Sequence, residues 1–172
     1  HATAFRLWEK ARAEAIKAKC EGKTGTVEEE SKPSTQLSPL LFDLTSLQRE
    51  ANGRFGFSAR TTLQLAQALY EKHKVLTYPR TDARALPEDY VGQVKGILGG
   101  LPDEYGPFAN EIIKQGWAKP NKRIFNNAKI SDHFAIIPTG TAPKTLSEAE
   151  AKIYDLVTRR FLSVFYPAAE YR

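Results

Sequence analysis

The stretch SARTTLQLAQALYEKHKVLTYPRTD, residues 58–82, decides how the rest of the chain is read. Ser58 is a good helix cap, and Leu63, Ala66, Leu69 and Tyr70 recur at three- and four-residue steps. The spacing therefore predicts a helix over Ala59 to Lys72 with one buried stripe. Val75, Leu76 and Thr77 have strand-type side chains, while Pro79 fixes its own backbone and pushes Tyr78 into the extended region. The strand should end at Tyr78 and leave that phenol at a rim. Arg80 lies two residues on, and its planar fork suits a phosphate; Thr81 and Asp82 can hydrogen-bond the local turn or a ligand. A phenol is unreactive at neutral pH unless its developing charge is stabilised, so the pattern suggests attack of a tyrosine on a phosphodiester. The plainer reading is a packing tyrosine that opens a polar turn.

Immediately upstream, Pro39 to Phe42 form an apolar entry, with Asp43 or Thr45 as cap for a helix through Leu47 to about Asn52, where Asn52-Gly53 should end it. Two short helices joined by a tight glycine-containing connection resemble a helix-turn-helix, and a winged-helix arrangement would place a strand or wing where the Tyr78 segment follows. The solvent face of the second helix carries Arg60, Thr61, Gln64 and Gln67, types that reach phosphates or base edges, although such a face is also ordinary surface.

Further out, Thr3 to Lys19 reads as a helix with Phe5, Trp8, Ala11, Ala15 and Ala18 on one face, stopped by Gly22 and Gly25. Thr24 to Thr35, with Glu28 to Glu30, is an exposed edge strand or a linker. Pro87 opens a helix through Val91 to Leu98, and Asp103 to Gln115 forms another. The loop from Gly116 to Lys129 interleaves Lys119, Lys122, Arg123 and Lys129 with Trp117 and Phe125, a composition that can track a backbone and stack bases or be plain surface. Ser131-Asp132-His133 precedes a short buried strand, Phe134 to Thr139. His133 can donate to a phosphate when protonated. Ser147 and Glu150 form a capping box for a last helix whose apolar face, Ile153 to Phe165, runs until Pro167.

Composition narrows the classes. The 172 residues carry a net charge of +5 and a pI near 9.3, which favours polyanionic partners. No apolar run could span a bilayer, the start of the chain does not read as a signal peptide, and a cytoplasmic setting is expected. The lone Cys20 has no Cys or His partner at zinc spacing, and no other metal-ligand cluster is visible. Methionine is absent, so the chain reads as a piece of something longer.

Four ordered blocks carry a resemblance: Leu44-Thr45-Ser46-Leu47-Gln48-Arg49-Glu50-Ala51-Asn52; Phe57 to Leu63 with Ala66 to Glu71; Leu76 to Asp82; and His133 to Thr139. Together they resemble type IA DNA topoisomerases, and the proline after the tyrosine points to the topoisomerase III branch. The resemblance implies that Tyr78 is the nucleophile, becoming linked to a 5′ phosphate of single-stranded DNA while the other end is held and another strand passes, with religation needing no ATP. It implies that Arg80 positions the scissile phosphate and that His133 contacts DNA beside it, with Asp82 and Thr139 as supports; Arg60 and Thr61 are DNA-binding candidates from the face of the second helix. Ala83 and Phe134 depart from the usual serine and second histidine.

The fold so implied is α+β and mainly helical: a winged-helix-like (CAP-like) tyrosine domain over 44–142, with 1–43 and 143–172 as pieces of a β-containing hinge or arch domain. Ser38-Pro39 and Pro143 to Leu146 would be the hinges. The acidic toprim domain, expected to hold Mg2+ in the full-length enzyme, lies outside this stretch, which alone should cleave poorly or not at all. A nucleoid-associated monomer is expected. The alternative is a noncatalytic winged-helix DNA-binding module.

Overall fold

The computed structural model describes residues 8–26, 28 and 31–171. These fall into two compact units, one within the first 33 residues and one from Ser34 to Tyr171. In the first, α1 (Lys10–Cys20) buries nothing: Trp8 is exposed and no helical residue is shielded. The helix expected from Thr3 is therefore shorter among the described residues, and Phe5 lies outside them. The expected apolar stripe is short side chains between charges, which cover too little area to dock a helix. The lone Cys20 is exposed.

The second unit opens and closes on a two-stranded antiparallel sheet, β1 (Ser34–Gln36) and β2 (Ala169–Tyr171), with Thr35 opposite Glu170. Between them lie α2 (Leu44–Phe55), α3 (Ala59–Glu71), α4 (Val91–Gly99), α5 (Gly106–Lys114) and α6 (Glu148–Ser163). The architecture is α+β and mainly helical.

Of the two expected caps for α2, Asp43 is the one used: its carboxylate accepts from the Ser46 amide at 2.7 Å, and Ser46 returns a bond to the Asp43 amide. Asn52-Gly53 does not end that helix. It runs on to Gly56, which takes the left-handed conformation at φ 70° that a side chain would resist. Ser58 caps α3 as expected, and Ser147 with Glu150 forms the capping box of α6. α6 packs against α3, α2 and α5, placing Ile153, Val157 and Phe161 in one core with Leu47, Leu69 and Leu76.

The two expected strands around the tyrosine are not ladders. Only single bridges form, Leu76 with Pro138 and Phe42 with Ile136. Pro79 and Pro138 each lack an amide donor, so regular pairing cannot extend past them. Both helices expected after Pro87 and Asp103 begin as one 3-10 turn before continuing as α4 and α5.

Candidate active site

Tyr78 projects from an extended segment fastened on both sides. Thr77 takes over the role of a strand pair: its amide donates to the Ile137 carbonyl at 2.9 Å, its hydroxyl donates to Ala135 at 3.0 Å, and that hydroxyl accepts the Ile137 amide at 2.9 Å. One β-branched side chain thus supplies contacts that the prolines deny the backbone. Thr139 secures the start of the segment, its amide on the Val75 carbonyl at 3.0 Å and its hydroxyl on the Lys74 carbonyl at 2.8 Å.

Beyond Tyr78 the chain is held by Thr81, which is buried. Its hydroxyl donates to the His133 carbonyl at 2.8 Å and accepts the Ala83 amide at 3.1 Å, while its own carbonyl takes the first amide of α2 at 3.0 Å. Ala83, where a serine is usual, is itself buried at 3% exposure. The Asp82 carboxylate accepts from the Ser131 hydroxyl at 3.2 Å, bracing the turn that carries His133. Asp82 and Thr139 therefore act within the fold as supports of the two loops.

These ties bring together residues far apart in the chain. The His133 ring lies 4.3 Å from the Tyr78 ring, centre to centre, at 44°. On the other side Tyr70, from the last turn of α3, meets Tyr78 edge to face at 5.4 Å and 78°. The Lys74 ammonium stands 5.7 Å above the Tyr70 ring, from a left-handed residue at φ 59°. The phenol is thus clamped between an imidazole and a second phenol, which orient it at modest cost. Among the described residues the Tyr78 hydroxyl, the Arg80 guanidinium and the His133 imidazole have no hydrogen-bond partner, so all three are available to a ligand.

Arg80 and Arg60 line one groove of about 560 Å³ along α3, with Gln64, Gln67, Glu71 and Lys72. Thr61 is not among its walls; its hydroxyl meets Ser58 at 2.8 Å and serves the helix start. The Gln67 amide donates to Glu71 at 2.6 Å. Behind the groove, His73 contacts Glu150 at 3.0 Å, tying the end of α3 to the start of α6. The Ser147 amide, with His73 adding to it, holds the Glu150 carboxyl below the usual carboxylate range.

The loop from Gly116 to Lys129 does not offer its aromatics to a ligand. Phe125 is buried and Trp117 packs on Tyr166, while Lys122 pairs with Glu88 at 2.7 Å and Arg123 donates to the Ser38 carbonyl. Thr77 and Tyr70 are the residues that sequence reasoning missed; Thr81, expected to bond its own turn, does so through Ala83 and also reaches the His133 carbonyl. Tyr70 was readable only as core, and threonine contacts spanning more than fifty positions leave no local mark. Among the described residues no group of three or more His, Cys, Asp or Glu side chains is placed to hold a metal ion. Among the described residues no helix is long and apolar enough to cross a membrane.

A family model described as DNA topoisomerase matches residues 1–172. DNA topoisomerase 3 of Bacillus cereus is 45% identical over 170 residues, covering 96% of this chain and 23% of the relative. The Bacillus subtilis protein of the same name is 47% identical over 155 residues, 88% of this chain and 21% of its own. The chain thus spans about a fifth of the length of these curated relatives. Full-length topoisomerase I of Thermotoga maritima superposes with a TM-score of 0.61 over 99% of this chain and 27% of that one, at 23% identity, a likeness of fold. With the whole chain matched and the homologues sharing close to half its residues, this protein belongs to the type IA DNA topoisomerase family, as one part of a longer polypeptide.

Proposed function

We propose that this stretch is the strand-breaking part of an ATP-independent DNA topoisomerase of the topoisomerase III branch, with residues 44–142 forming a winged-helix-like domain that carries the nucleophile. The observation that carries the reading is the juxtaposition of the Tyr78 and His133 rings at 4.3 Å, with Arg80, two residues on in the chain, holding no side-chain partner among the described residues. The Tyr78 hydroxyl oxygen attacks phosphorus in single-stranded DNA. A bond forms between that oxygen and the 5′ phosphate, and the bond from phosphorus to the 3′ oxygen of the neighbouring nucleotide breaks. The phenol's proton passes to solvent, and the leaving 3′ oxygen takes one up.

Arg80 neutralises charge that builds on the non-bridging oxygens, an effect worth about two to three orders of magnitude in rate for a well-placed donor. His133, when protonated, donates to the same phosphate. The phosphotyrosine link keeps the energy of the broken bond, so return attack by the 3′ hydroxyl reseals the strand without a nucleotide cofactor. Magnesium, if used, would be held by the remaining four fifths of the polypeptide, and no step here is routed through it. Partners of the stretch are single-stranded DNA and those remaining domains, and a nucleoid setting follows from that substrate.

The test places the stretch in its full-length polypeptide and incubates it with 5′- and 3′-labelled single-stranded DNA and magnesium, followed by denaturant. The expected result is a covalent adduct on the 5′ phosphate, abolished by Tyr78→Phe. Salt-sensitive binding without any adduct would instead establish a noncatalytic DNA-binding module.

A further inference from the structure

Most arginines of the Ser34–Tyr171 unit are committed to partners: Arg54 to Glu50, Arg84 to the Leu41 carbonyl, Arg123 to Ser38, Arg159 to Asp155 and Arg160 to Glu50 and Leu40. Around the α3 groove the rule reverses. Arg60, Lys72 and Arg80 all line it, and none of their side chains has a hydrogen bond or ion pair among the described residues. Three unneutralised cations on the walls of one groove repel each other, a cost that an anionic ligand would offset.

The remaining polar walls are not phosphate-binding. Gln64 and Gln67 present amides, and Glu71 presents a carboxylate already accepting from Gln67 at 2.6 Å. Gln67 keeps its amide oxygen buried with no partner, an unsatisfied acceptor that a small rotation could turn to use. Amide and carboxylate groups complement base edges, which carry both donors and acceptors. Arg60, Gln64, Gln67 and Glu71 follow one another at four-, three- and four-residue steps along a single face, a run of about 16 Å at the rise of an α-helix. That is the length of a few nucleotides.

We propose that this groove is a nucleotide subsite for the strand that stays bonded to Tyr78, the part 3′ of the broken bond. Arg80, Lys72 and Arg60 hold its phosphates in succession, and the Gln64, Gln67 and Glu71 side chains meet its base edges. The assignment rests on the reading of Tyr78 as a nucleophile that forms a 5′-phosphate link. Given that link, the retained strand has to travel with the domain that carries the tyrosine. A groove that is lined by Arg80, two residues from Tyr78 in the chain, and by the Arg60 to Glu71 face of α3 in the same unit provides that seat.

The test uses the full-length polypeptide and single-stranded oligonucleotides with a common 5′ part and 3′ parts of increasing length beyond the cleaved bond. Apparent affinity is read from adduct yield against oligonucleotide concentration. In the unaltered protein affinity rises with each added 3′ nucleotide until the groove is filled. Arg60→Ala, and Gln64→Ala combined with Gln67→Ala, each reduce the long-to-short affinity ratio about tenfold, and Arg60→Lys recovers most of it. Because the readout is a ratio within one variant, a general loss of folded protein does not move it. A ratio unchanged in every variant, with the adduct still forming at Tyr78, overturns the subsite and leaves the chemistry standing. Dependence on the 5′ part instead of the 3′ part also overturns it. Absence of any adduct in the unaltered protein overturns the chemistry and the subsite together.

Discussion

Two sets of cations in the Ser34–Tyr171 unit have opposite surroundings. Arg84, Arg123 and Arg160 reach from three parts of the fold to the short segment at 38–41. Arg123 donates to Ser38, Arg160 donates to Leu40 at 2.9 Å, and Arg84 donates to Leu41 at 2.9 Å. Arg160 also pairs with Glu50 and stacks on Phe42 at 4.1 Å; burial pulls its pKa below the ordinary arginine value, with Glu50 opposing. In the other set, Arg60, Lys72 and Arg80 face a groove and hold nothing. A guanidinium in the first set is structural because one or two of its donors find fixed acceptors; one in the second is kept available because none of its donors does. In the segment Ser38-Pro39, expected as a hinge, the Ser38 carbonyl accepts from Arg123 in this conformation. Motion there requires the Arg123 bond to open.

The same contrast separates the phenols. Tyr105 donates to Asp155 at 2.9 Å and Tyr166 donates to Glu111 at 2.7 Å, whereas the Tyr78 hydroxyl has no partner among the described residues. Burial first, and the carboxylate partner second, push both structural phenols up, Tyr166 to about 12.

The largest expected effect tests whether an available cation does chemistry. Arg80→Ala should slow adduct formation by about a hundred- to a thousandfold while the unfolding free energy changes by no more than about 0.5 kcal/mol, measured by quench assay and urea denaturation of the full-length enzyme. A stability loss matching that of a buried arginine would break the comparison. Next is its mirror image. Arg160→Ala should cost about 2 to 3 kcal/mol in urea denaturation, since it leaves the Leu40 carbonyl only the long 3.4 Å bond from Arg84 and leaves Glu50 only Arg54, and its effect on cleavage should follow from unfolding alone.

A smaller effect concerns the phenols. Because the folded pKa of Tyr166 lies above its unfolded value near 10, its contribution to stability is complete below pH 10 and is lost as pH rises towards 12. Tyr166→Phe should flatten the fall in stability across that window, as followed by denaturation midpoints between pH 9 and about 12. Tyr105→Phe should cost about 1 kcal/mol at neutral pH through the lost bond to Asp155. The smallest effect is Lys72→Ala, which should lower the salt dependence of DNA binding by about one unit of slope and leave the unfolding midpoint in place.

Much of the helical framework was legible before any coordinates. Ser58, Ser147 and Glu150 cap where their residue types say they should, because capping is a contact three residues long. The site was half legible. Tyr78-Pro79-Arg80 is a local pattern, and so the proposed nucleophile and its cation could be named. That His133 would stand against Tyr78 could not be derived from spacing, because the contact crosses 55 positions and depends on Thr81 holding the His133 carbonyl. Nor could the loop from Gly116 to Lys129 be read correctly: Phe125 looks like a stacking platform in sequence and is core in the fold.

Chain order and residue type alone therefore determined the starts of α3 and α6 and the membership in the topoisomerase family, since each rests on short-range contacts or on ordered blocks. The tertiary structure decided which cations were consumed and which were left open. Arg84 and Arg80 differ by four positions and by nothing in their chemistry. One meets the Leu41 carbonyl and the other meets solvent, and only the packing of α2, α3 and α6 could assign them those places.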